Sequence, residues 1–116
     1  MRVSDREVNE VLRDQLVQIL VQLVVDLKNL EEAGTFLKDF LTPVELQVLT
    51  KRLAIAYWLR KNRGYENIKE NLKVSTATIA TVKSMMEKEG LKLALKKIEA
   101  EEWANQWAEK IKKFVK

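Results

Sequence analysis

Between Leu16 and Val25, eight of ten residues are apolar: Leu16, Val17, Ile19, Leu20, Val21, Leu23, Val24 and Val25. No feature of the chain constrains its fold more. A helix carrying that stretch, interrupted only by Gln18 and Gln22, is hydrophobic nearly all round, so something must cover most of its circumference. The run is too short for a membrane span, which needs about 20 apolar residues. The residues before it mix both signs (Arg6, Glu7, Glu10, Arg13, Asp14), unlike the basic start of a secretory signal. A cytoplasmic protein is the expectation. Two coverings are open: the helix is the core of a monomer, or a second subunit wraps it. A chain of 116 residues has few other helices to spare, which favours the second subunit.

The apolar spacing extends this helix over about residues 5–30, through Val8, Leu12, Leu16, Ile19, Leu23, Leu27 and Leu30. Ser4 and Glu7 fit a capping box at its start, and Gly34 reads as a stop. Phe36, Leu37, Phe40 and Leu41 follow as a short apolar turn or bend. A second long helix begins at Thr42-Pro43-Val44-Glu45, where Thr caps, Pro fits the first helical position and Glu closes a capping box. It runs over about 43–62 and ends near Asn62-Arg63-Gly64. Two short helices follow, Glu66 to Leu72 and Thr76 to Met86, the latter capped by Ser75. A last helix runs over about 91–115. With three Gly and one Pro, the chain has too little punctuation for an all-β fold. One all-α domain over 1–116, with five or six helices, is the expected architecture.

Chemistry is excluded more firmly than it is indicated. There is no Cys and no His, so thiol nucleophiles, thiolate metal sites and the commonest general base are missing. No glycine-rich loop cradles a phosphate. An enzyme is not expected, nor a cofactor or metal. Glu99, Glu101 and Glu102 cluster, but with no further ligand type nearby they read as a solvated helix face. Trp58, Trp103 and Trp107 sit on apolar faces and read as core or dimer contacts. Lys110, Lys112, Lys113 and Lys116 suit a helix C-terminus.

The net charge of +4 hides a division. Residues 1–50 hold five basic and nine acidic residues, residues 51–97 twelve and four, and residues 98–116 four of each. The basic excess sits in the middle, between two apolar segments, as in a scaffold flanking a nucleic-acid-binding unit.

That middle has the helix-turn-helix layout over about 65–88. Ile68 and Leu72 on the first helix, Val74 in the turn, and Ile79 and Val82 on the second are placed to lock two short helices at a steep angle. The second helix would then show Thr76, Ala77, Thr78, Thr81, Lys83 and Ser84 to the major groove as base-reading residues. Lys61, Arg63, Lys69, Lys73 and Ser75 are the candidate phosphate contacts, with Lys51 and Arg60 nearby. Two positions depart from the usual pattern. Lys73 stands where the turn usually has Gly, costing about 1 kcal/mol if left-handed. Lys69 replaces the usual small residue of the first helix.

Phe40-Leu-Thr-Pro-Val-Glu-Leu-Gln-Val-Leu-Thr-Lys-Arg52, followed by a helix and then Lys73-Val-Ser-Thr-Ala-Thr-Ile79, resembles the Trp-repressor-like family, closest to its YerC/YecD branch. The resemblance covers roughly residues 36–90. It implies an intertwined all-helical homodimer that presents two helix-turn-helix units to a palindromic operator, about 34 Å apart. The implied function is a sequence-specific DNA-binding regulator, a repressor. A dimeric protein-interaction module with a degenerate helix-turn-helix is the alternative. In the tryptophan-responsive member two arginines sandwich the corepressor. Arg52 takes the first position, as a possible effector remnant, but the second falls on Thr81 and the following glycine on Val82. Thr and Val make no planar cation stack, so tryptophan is not the expected effector, and any other is unknown.

Overall fold

A computed structural model describes the backbone of residues 6–114 and the side-chain surroundings of residues 6–102 and Asn105. Its six helices are α1 (Glu10–Asp26), α2 (Leu30–Phe40), α3 (Pro43–Arg60), α4 (Tyr65–Leu72), α5 (Thr76–Lys83) and α6 (Glu89–Phe114). Among the described residues there is no strand. The all-α expectation holds. The chain divides into two compact units, one ending at Leu46 and the other beginning at Gln47.

In the first unit the helix expected over 5–30 is shorter and broken. It starts at Glu10, because Asn9 is the cap: its side chain accepts from the Leu12 backbone N–H at 2.8 Å. Glu7 precedes the helix, and Ser4, the other half of the expected capping box, lies outside the described residues. The helix ends at Asp26, where Leu27 turns extended at ψ 126°. Asn29 then caps α2 by accepting from Glu32 N–H at 2.9 Å. Gly34, expected as a stop, lies inside α2, where a glycine costs about 1 kcal/mol but breaks nothing. The apolar turn expected at 36–41 is the end of that helix, with Phe36 and Phe40 stacked at 5.1 Å. Neither α1 nor α2 contains a buried residue.

The capping box at the start of α3 forms as expected. The Glu45 backbone N–H donates to Thr42 Oγ1 at 3.1 Å, and the Thr42 N–H donates to Glu45 Oε1 at 2.9 Å. Donation to the Glu45 carboxylate, from the Thr42 backbone N–H first and its side chain second, holds that carboxyl below its ordinary pKa of 4.5, because it favours the charged form.

The second unit has a core. Ile55 and Ala56 from α3, Ile68 from α4, Ile79 and Val82 from α5 and Leu95 from α6 are buried. Tyr57, Trp58, Leu59, Tyr65, Leu72 and Val74 pack against them. So Trp58 is a core contact, as its spacing suggests. Trp103, Trp107 and the lysines from Lys110 on lie where side chains are not described. The helix expected over 76–86 ends at Lys83, with turns over 84–87, and α6 starts at Glu89, so Gly90 falls inside it.

Candidate nucleic-acid interface

The turn between α4 and α5 is built by one unusual backbone. Lys73 sits at φ 55°, ψ 54°, the left-handed region, and its N–H donates to the Lys69 carbonyl. The Val74 N–H donates to the same carbonyl at 3.4 Å. This closes α4 and swings the chain into Ser75, whose Oγ accepts from Thr78 N–H at 3.1 Å and caps α5. The position where a glycine is usual is therefore left-handed, and a lysine occupies it at a conformational cost. A contact from α3 accompanies it: Lys51 Nζ donates to the Lys73 carbonyl at 3.3 Å. Lys69 is exposed, so its bulk crowds nothing. Ile68, Ile79 and Val82 close the inside of the corner.

With Ile79 and Val82 inward, Thr76, Ala77, Thr78, Thr81, Lys83 and Ser84 are exposed. Their polar atoms are not equally available. Thr81 Oγ1 donates to the Ala77 carbonyl at 3.0 Å and Ser84 Oγ to the Thr81 carbonyl at 2.6 Å. Thr78 Oγ1 and Ser75 Oγ share a hydrogen bond at 2.9 Å. The Lys83 ammonium lies 5.7 Å from the centre of the Tyr65 ring.

The basic residues before α4 divide in a way the sequence does not show. Arg60 Nε pairs with Glu99 Oε1 at 3.1 Å, and Lys61 Nζ with Glu102 Oε2 at 3.3 Å. Glu102 also accepts from the Tyr57 hydroxyl. The two α6 carboxylates, expected to be solvated, are half-buried against α3. Among the described residues Arg63 has no carboxylate partner. Asn62 takes φ 61°, and the chain folds back so that the Arg63 N–H donates to the Trp58 carbonyl at 3.1 Å. The Arg63 guanidinium lies 4.2 Å over the Trp58 ring, with Nη1 donating to Asn67 Oδ1 at 3.4 Å.

Arg52 is exposed at the rim of a cleft of about 430 Å³ that also holds Lys51, Ser75, Thr78, Thr81 and Val82. The structure thus brings Arg52, Thr81 and Val82 together. Thr81 offers no cation, and Val82 is only 2% exposed. Among the described residues no group of carboxylates could hold a metal ion, and no helix is long and apolar enough to cross a membrane.

Taken together, these features define an all-helical protein built around a helix-turn-helix corner. The chain belongs to the Trp repressor protein family, whose model matches residues 15–99. Over 72 residues it is 39% identical to the protein YerC of Bacillus subtilis, spanning 62% of this chain and 69% of YerC. The crystal structure of a TrpR-like protein from Eubacterium eligens superposes with a TM-score of 0.69 at 34% identity. That match covers 78% of this chain and 95% of the other.

Proposed function

We propose that this protein is a homodimeric, sequence-specific DNA-binding regulator that acts as a repressor on a palindromic operator. One observation carries the reading. The left-handed Lys73 and the Ser75 cap set α5 as an exposed helix whose inner side is fixed by Ile79 and Val82, the arrangement that enters a major groove. Family membership and the basic excess over residues 51–97 support it. Thr76, Ala77, Thr78, Thr81, Lys83 and Ser84 read bases; Arg63, Lys69, Lys73 and Ser75 hold phosphates, while Lys61, expected among them, pairs with Glu102. A second copy covers the apolar residues of α1, of which Val11, Ile19 and Val25 are each about two-thirds exposed.

The protein-interaction alternative draws its motive from Lys69 and Lys73. Both are accommodated without loss of the corner, so that motive weakens. Tryptophan remains an unsuitable effector, since the Thr81 hydroxyl donates to its own helix and Val82 fills the small-residue position.

The test is selection of bound duplexes from a random pool, followed by affinity against salt. Affinity should fall steeply, because each phosphate contact releases a counterion. Flat dependence or no binding at low salt overturns the reading. Lys83→Ala should relax preference at one position per half-site; uniform weakening would make Lys83 a phosphate contact.

A further inference from the structure

We infer that Glu99 and Glu102 of α6 act as stand-ins for DNA phosphates, keeping Arg60 and Lys61 off the duplex backbone and leaving Arg63 as the phosphate anchor of that corner. The inference rests on the DNA-binding reading above and assigns a role within it to residues of a helix outside the helix-turn-helix.

Three cations lie within four positions at the end of α3, and all would be drawn to a polyanion. Their surroundings differ. Arg60 and Lys61 each face a carboxylate oxygen within 3.3 Å. Glu102 is itself fixed by the Tyr57 hydroxyl, a residue packed on the core, and the Lys61 ammonium lies 5.4 Å from the Tyr57 ring. A carboxylate and a phosphate compete for the same charge-assisted hydrogen bonds. A cation already neutralised by its own protein must lose that partner before it meets DNA, and it displaces fewer counterions when it does.

Arg63 is held differently. The Trp58 ring and the Asn67 amide position its guanidinium, and neither cancels its charge. An aromatic face orients a guanidinium while leaving its donors for a planar bidentate acceptor. The end of α3 therefore presents one oriented positive charge, Arg63, rather than three mobile ones. The consequence is restraint: binding to the bare backbone, common to every sequence, is held down.

The experiment measures the slope of log affinity against log salt on a random-sequence duplex, using the full-length chain. Glu99→Gln/Glu102→Gln keeps the side-chain shape and an acceptor for Tyr57 but removes both charges. Its slope should steepen by about 0.9 for each cation released, with several-fold tighter binding at low salt. Lys61→Gln in the native background should leave the slope unchanged, and in the double-Gln background should take back about 0.9. Arg63→Gln should flatten the native slope by a similar amount. A merely structural role for the carboxylates would alter melting but not the slope.

An unchanged slope in the double-Gln variant, or a flattened one in Lys61→Gln alone, overturns the inference. In that case the DNA-binding reading stands on the native slope and on Arg63→Gln. If the native protein shows no salt-dependent DNA binding, both fall. Should the double-Gln variant fail to fold, the Lys61→Gln result decides the matter alone.

Discussion

The two units spend similar side chains in opposite ways. In the second, Ile55, Ile68, Ile79 and Leu95 are fully buried. In the first, Val25 is 70% and Leu30 91% exposed, and neither α1 nor α2 contains a buried residue. Hydrophobicity alone does not make a core. Ile55, Ile68, Ile79 and Leu95 fall on sides of α3 to α6 that meet, even though Val44, Val48 and Leu93 stay exposed, whereas the apolar residues of α1 lie on most sides of the helix and none is buried. An exposed apolar surface of that extent is the mark of an interaction site. The contrast is that of a unit closed on itself and a unit that waits for a partner, which the proposed second copy supplies.

The strongest way to break that contrast is to change α1. Leu16→Asp should abolish the dimer in sedimentation and with it tight operator binding. In the native protein, each tenfold rise in concentration should add about 1.4 kcal/mol of apparent stability, because assembly and folding are coupled. A melting temperature independent of concentration would show that the first unit needs no partner. Next in size is Ile79→Ala, which should cost about 2–5 kcal/mol by removing buried methyl groups, read as a lower urea midpoint. The same truncation at the exposed Val44 should cost far less. Equal costs would mean that the second unit's core is not the one described.

Two smaller effects sharpen the comparison at the level of the backbone. Lys73→Gly relieves the left-handed strain at φ 55° and should stabilise by up to about 1 kcal/mol, while flattening the salt slope of DNA binding. Thr42→Ala removes a cap and should cost about 1 kcal/mol. The Glu45 partner of that cap adds a pH signature. Its folded pKa is lowered, so its contribution is present above 4.5, the ordinary value, and is lost as pH falls through the lowered one. Glu45→Gln should remove that part of the acid dependence of the urea midpoint; an identical acid profile in the two proteins would count against the capping geometry.

What the sequence made legible follows from how local each signal is. The start of α3 and of α5 and the end of α4 are written in neighbouring residues: Thr42-Pro43-Val44-Glu45, Ser75 and the Lys73 turn. Ile68, Ile79 and Val82 declare the core by spacing, whereas Ile55, fully buried, is not singled out by it. The break between α1 and α2 is obscured because Leu23, Leu27 and Leu30 continue the helical spacing across it, while the signal that wins there is the cap Asn29, as Asn9 wins at the start of α1. Gly34 misled in the other direction, since a helix stabilised on both sides of a glycine tolerates it. The pairing of Arg60 and Lys61 with Glu99 and Glu102 had no sequence signal: the partners lie on different helices, and only the fold of the second unit brings them together.

The seat of Arg63 on Trp58 gives the molecule an optical property. The emission of an indole responds to a positive charge on its face, so an anion that binds the guanidinium where it sits, and neutralises it there, will change the fluorescence of that ring. With Trp103 and Trp107 replaced by Phe, Trp58 becomes a native dye beside the proposed phosphate anchor, and occupancy of that site can be followed by its colour without labelling either partner.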